Sequence, residues 1–133
     1  MSTESKKPAE QPAPSAKDIA EAGAQLVPGT YVGMPPTAQL FWAVVESTGV
    51  LVRGFGAVSA TRIATGQYQV VFSHDLTRSG YVGSIGLTGA VGSAPSGEIA
   101  VVGRFGVPNG VFVQTFTSTG VAADRSFHLT ISS

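Results

Sequence analysis

From Leu40 to the end of the chain, apolar residues fall in short runs separated by turn signals roughly every 8–14 residues. Leu40–Glu46 (LFWAVVE) is an apolar strand that stops at Ser47-Thr48-Gly49. Val50–Arg53 runs into a glycine bend at Gly54-Phe55-Gly56, and Val58–Ile63 ends at Ala64-Thr65-Gly66. Gln67–Ser73 has the clean period of two expected of a half-buried strand, with Tyr68, Val70 and Phe72 on one face and Gln67, Gln69 and Val71 on the other. Tyr81–Leu87, Glu98–Gly103, Val111–Thr117 and Phe127–Ser132 follow. They are separated by the small-residue loop Thr88–Gly97, an Asn-Gly turn signal at Asn109-Gly110, and Ser118-Thr119-Gly120. Eight short strands with no helical pattern between them predict an all-β fold, an antiparallel β-sandwich of jelly-roll-like type. Phe41, Trp42, Tyr68, Phe72 and Phe112 are the aromatic residues expected in its core.

The chain before this body reads differently. Residues 1–15 are rich in Pro, Ala, Ser, Glu and Lys and hold too little apolar surface to offset the entropy of ordering them, which predicts a disordered arm. From Ser15 to Leu26 the spacing suggests a short helix, capped by Ser15, with Ile19, Ala22 and Leu26 on one narrow stripe. Three turns are marginal in isolation, so such a helix forms by docking, and these three residues are the candidate anchor. Residues 1–26 are thus expected to be an arm with a docking helix, and residues 27–133 the β-body.

Charge sharpens this division. Eight basic residues balance eight acidic ones, so neither nucleic acid nor anionic lipid is indicated as a partner. Seven of the charges lie in the first 21 residues. Only nine remain in the 108 residues from Leu26 onward, none of them lysine, where roughly a quarter of residues is usual. A body so short of charge must cover itself with Ser, Thr and Gly or bury apolar surface against sister subunits. Cysteine is absent, which removes disulfides, thiolate nucleophiles and cysteine-ligated zinc. No apolar run follows Lys6-Lys7, so no secretory signal is expected, and no stretch has the ~18 apolar residues of a membrane span.

Catalytic chemistry has few candidates. The two histidines are His74 and His128, and Asp124, Ser126 and His128 give a Ser-His-Asp set on paper without a nucleophile elbow around the serine. Two histidines far apart and four body acids do not nominate a metal site, although one histidine per subunit could converge on a threefold axis. Arg53-Gly54-Phe55-Gly56 matches part of an RNA-recognition signature but lacks the aromatics and helices that would follow. No enzyme activity, metal or cofactor is therefore expected. Recognition falls instead to loops: Ser73–Gly80 with His74, Asp75 and Arg78, Thr88–Gly97, and Arg104–Asn109 with Arg104 and Asn109 as its polar residues.

One order of residues resembles a known family. Trp42-Ala43-Val44-Val45, Ser47-Thr48-Gly49, Arg53-Gly54, Val58-Ser59-Ala60-Thr61, Thr65-Gly66-Gln67-Tyr68-Gln69-Val70-Val71-Phe72 and Tyr81-Val82 are similar, in sequence and spacing, to the distal β-module of bacteriophage tail fibres and related receptor-binding tips. Val113-Gln114-Thr115-Phe116, Gly120, Ala123-Asp124 and Phe127-His128-Leu129 resemble the closing strands of that module and of similar actinobacterial domains. The departures are Ser79 and Ser132 or Ser133, where related modules often carry cysteine, and an arm much shorter than a fibre shaft. The resemblance implies a homotrimeric virion protein (fibre, decoration protein or receptor-binding module) held to a capsid or tail protein by its N-terminal arm and facing a host-surface glycan or protein. A bacterial surface-ligand or carbohydrate-binding sandwich is the alternative.

Overall fold

In the computed structural model, the residues described are 13, 15–17, 32–33 and 40–132. The expected arm and docking helix, with Ile19, Ala22 and Leu26, lie outside them apart from the helix's first residues. The body comprises β1 (Leu40–Val45), β2 (Leu51–Phe55), β3 (Ala57–Ala64), β4 (Gln67–Phe72), β5 (Gly80–Ile85), β6 (Glu98–Gly103), β7 (Gly110–Phe116) and β8 (Phe127–Ser132). These are the eight strands that the sequence pattern predicts, with ends moved by two residues at most. Two antiparallel four-stranded sheets pack face to face, in the orders β2-β1-β8-β5 and β3-β4-β7-β6.

Alternation decides which side chains meet between the sheets. Tyr68, Val70 and Phe72 of β4 and Val111 and Val113 of β7 face Ala43 and Val45 of β1 and Phe127, Leu129 and Ile131 of β8 in one core. Each large side chain fully removed from water contributes roughly 1.5–3 kcal/mol before ordering entropy is subtracted. Tyr68 is the largest. It meets Phe127 edge-on at 5.1 Å between centroids, and its hydroxyl donates to the Ser47 carbonyl at 2.7 Å, so the core's one phenol has a partner. Phe41 packs against this core, stacked on Phe72 at 6.4 Å. Trp42 and Phe112 correct the sequence reading. They occupy the opposite phase of their strands, beside Thr130 and Phe55 and beside Gln69 and Val102 respectively, and are half-buried on the outer faces.

The two flanks of the sandwich are built differently. On one side the edge strands β2 and β3 are bulged: Val52 is passed over between Leu51 and Arg53, Val58 between Ala57 and Ser59, and Ile63 between Arg62 and Ala64. Those three extra residues are exposed, as the unpaired residue of a bulge often is. On the other side, the edge strands β5 and β6 pair with β8 and β7 in unbroken register.

Every connection also has a definite end. Leu40, Phe55, Ala57, Phe72, Gly80, Gly103, Gly110 and Ser132 mark one end of the sandwich, hereafter the terminal end. The connections 46–50, 65–66, 86–97 and 117–126 gather at the far end. The Asn-Gly signal at residues 109–110 is not a two-residue hairpin turn. The β6–β7 connection is longer, its left-handed residue is Gly106 (φ +78°), and no described residue other than glycine has a positive φ.

Gly66 turns the chain between β3 and β4 at φ +67°, and a Cβ there would lie 2.5 Å from the Thr115 carbonyl oxygen. Gly66→Ala is therefore expected to lower stability by about 2 kcal/mol or more in urea denaturation, since both the backbone conformation and the space are lost. Gly120→Ala, at φ +86° with open space around it, should cost clearly less.

Candidate functional site

Two of the three loops expected to carry recognition come together at the terminal end. The 73–79 connection is pinned by Leu76, a buried side chain whose N–H donates to the Pro108 carbonyl at 2.9 Å and whose carbonyl accepts the Tyr81 hydroxyl at 2.7 Å. Asn109 clasps β4 from the other loop: its carbonyl accepts from the Phe72 N–H and its side-chain amide donates to the Phe72 carbonyl, both at 2.8 Å. Asn109 is thus committed to structure rather than to a ligand. Between the two loops lies an open cleft of about 530 Å³, lined by Thr77, Ser79, Tyr81, Val102, Arg104 and Val107 among others.

The charged and polar candidates around this cleft differ in their commitments. Arg104 is oriented twice, by a 2.7 Å hydrogen bond from Nε to Gln69 Oε1 and by lying over the Phe112 ring at 5.5 Å, which turns it onto the outer face of β4 and β7. Asp75 accepts from the Thr77 N–H at 2.9 Å and the Thr77 hydroxyl at 2.7 Å, an Asx turn that holds its carboxyl below the usual range. His74 is exposed. Its Nδ1 lies 2.7 Å from the Ser73 hydroxyl, and its ring is 5.2 Å from that of Phe41. Arg78 is exposed beside Thr77 and Ser79. These groups line a rim but do not converge on one point.

The third loop, 88–97, belongs to the far end, where the chain entering it is fastened to the outer face of β2 and β8. Arg53 donates to the Thr88 carbonyl at 2.6 Å, and the His128 ring nitrogen Nε2 is 2.9 Å from the Leu87 carbonyl, which an N–H there would satisfy. Beside them Glu46 accepts from the Ser126 hydroxyl at 2.7 Å, while the Ser126 oxygen accepts the Ser47 N–H at 3.1 Å. Asp124 is engaged elsewhere, taking the Gly66 N–H at 2.8 Å and the Arg62 Nε at 2.9 Å. Asp124, Ser126 and His128 therefore serve three separate hydrogen-bond sets and form no relay. Among the described residues no group of three His, Asp or Glu side chains is placed to hold a metal ion, and no helix is long and apolar enough to cross a membrane.

Leu76 is the residue that sequence reasoning passed over. Its only signal was a single large apolar side chain in an otherwise polar loop. No family model, no curated protein and no solved structure matches this chain.

The Asp124 carboxyl is held below its ordinary value of 3.8, first by the Gly66 N–H and then, against the cost of burial, by Arg62. Its contribution is present above the unfolded-state value and is lost as pH falls through the folded-state value. Asp124→Ala is expected to cost about 1 kcal/mol at pH 7, mostly for the orphaned Gly66 N–H, since a partly exposed ion pair adds little. The gap between variant and wild type should narrow in urea titrations below pH 4.

Proposed function

We propose that this chain is a non-enzymatic assembly and display module, a homotrimeric virion fibre or decoration protein joined to a capsid or tail protein through its N-terminal segment. The observation that supports assembly is the asymmetry of the two flanks. Strand edges are templates for further pairing, and folded proteins blunt them with bulges, charges or proline. β2 and β3 carry bulges. β5 and β6 have neither bulge nor proline, and Glu98 is their only charged residue. On these two strands Val82 is 65% exposed and Val102 57%, one on the outer face of each sheet. A regular edge with a single charged residue, flanked by an exposed valine on each outer face of a charge-poor body, has the character of surface meant to be covered by another subunit. The virion setting and the number three draw their support from the similarity in residue order to tail-fibre modules.

The placement of the connections bears on what such a module would present. The N-terminal segment joins the body at Leu40, so an anchor there sits at the terminal end, next to the 73–79 and 104–109 loops. The surface held away from the anchor is then the far end, with residues 46–50, 86–97 and 117–126. Repetition by symmetry turns weak contacts at these loops into useful avidity.

Light scattering on the full chain is expected to give a trimer mass. Val82→Lys combined with Val102→Lys should yield a folded monomer, because both side chains are exposed in the single subunit and the lysines add charge to both edge strands, one on each outer face. A wild-type monomer at tens of micromolar would defeat the assembly reading.

A further inference from the structure

Asn109 is the chain's single asparagine, and Gly110 follows it. Glycine is the neighbour that leaves an asparagine amide most open to attack by the next backbone nitrogen, because no Cβ screens that nitrogen. In such a pair the glycine nitrogen gives up its proton and bonds to the asparagine Cγ, the Cγ–Nδ2 bond breaks, and the side-chain nitrogen leaves as ammonia with the proton the glycine lost. Water then opens the cyclic imide at either carbonyl. One product is an aspartate with the ordinary main chain, the other an isoaspartate whose main chain runs through Cβ and Cγ. Nothing is oxidised or reduced, and water is the one co-reactant.

In the fold both reacting groups are held by other partners. Gly110 is buried, and its N–H donates to the Val107 carbonyl at 2.9 Å. The Asn109 amide donates to the Phe72 carbonyl, and the Asn109 carbonyl takes the Phe72 N–H, both at 2.8 Å. Ring closure needs the Asn109 side chain to leave β4 and turn onto its own backbone, so the Phe72 clasp and the Val107 bond must open first. We propose that Asn109 is a modification site guarded by the fold: deamidation is suppressed while the terminal end is closed and proceeds when β4 and the 104–109 loop separate. The rate of ammonia loss then measures how often this end opens, an event less costly than global unfolding. The product cannot rebuild the clasp. A carboxylate accepts and does not donate, so an acid at position 109 sets oxygen against the Phe72 carbonyl oxygen. An isoaspartate also lengthens the main chain ahead of β7, where Gly110 pairs with Val71. Each opening thus risks permanent loss of the contact that ties β4 to this loop, whether or not the chain assembles.

A single asparagine makes the test direct. The full-length protein is incubated at mildly alkaline pH, in native buffer and in urea sufficient to unfold it. Amide-to-acid conversion is followed by mass, and fragmentation of the tryptic peptide 105–125 places it at Asn109. Conversion is expected to be roughly a hundredfold or more slower in the folded protein than in urea. Chains converted in urea and returned to native buffer should unfold at a lower urea midpoint than unconverted chains. Leu76 pins the neighbouring loop with a buried side chain and an N–H on the Pro108 carbonyl. Leu76→Ala, and the milder Leu76→Val, should therefore speed conversion of the folded protein several-fold and leave the rate in urea unchanged. Folded and unfolded rates within a few-fold of each other, or a folded-state rate that neither Leu76 variant moves, would overturn the guard. An unchanged urea midpoint after conversion would overturn the loss of the clasp.

Discussion

A sandwich of two four-stranded sheets has as much outward face as inward face, and this chain has nine charged side chains from Leu26 onward with which to cover it. Every other feature answers to that scarcity. Outward positions are filled by Thr, Ser and Gln, by half-buried aromatics such as Trp42 and Phe112, and by exposed valines. The few charges are used locally. Asp124 closes one turn, Glu46 gathers the Ser126 hydroxyl, Arg53 fastens a loop, and Arg104 braces another. Because these are hydrogen bonds to backbone and neutral groups as much as ion pairs, salt should weaken them little compared with a surface held by exposed charge pairs.

The two ends of the body are secured by different means. At the far end, Gly66, Thr115, Ala123 and Asp124 form a compact mesh in which the Thr115 hydroxyl reaches the Ala123 carbonyl at 2.6 Å and the Thr115 N–H reaches the Gly66 carbonyl at 2.9 Å. At the terminal end, fixation is by one buried leucine and one asparagine that bind two loops to each other. That arrangement leaves an open cleft of about 530 Å³ between those loops, with the Phe105 ring exposed. The contrast between bulged β2 and β3 and regular β5 and β6 adds a direction across the body to the direction along it.

Much of this was legible beforehand because a strand with one buried face writes itself as alternation. In β4 and β8 the alternation is unbroken, and their core residues follow from it. β1 is a continuous apolar run, LFWAVV, in which phase is undetermined by composition, so Trp42 was assigned inward although its neighbours Phe41 and Ala43 take that face. Bulges left no signal: Val52, Val58 and Ile63 are good strand residues whether paired or passed over. The Asn-Gly pair misled because asparagine's side chain is worth more to this fold as a clasp on Phe72 than as a left-handed turn residue. For the candidate site, the sequence identified the polar loops but not their partnership, which depends on strand order, and Phe105 was hidden among residues of the same type that pack inside.

β1 and β8 lie side by side and antiparallel, with Leu40 paired to Ser132 at the terminal end. A force that draws these two residues apart meets the ladder at its first rung only, and opens it one hydrogen-bonded pair after another. Loaded in that way the body peels like a zip, whereas a pull from Leu40 against the far-end loops runs along the strands and loads many rungs together. The fold is thus mechanically soft in one direction and stiff in another, and a tether at the N-terminal side alone, with resistance at the far end, uses the stiff one.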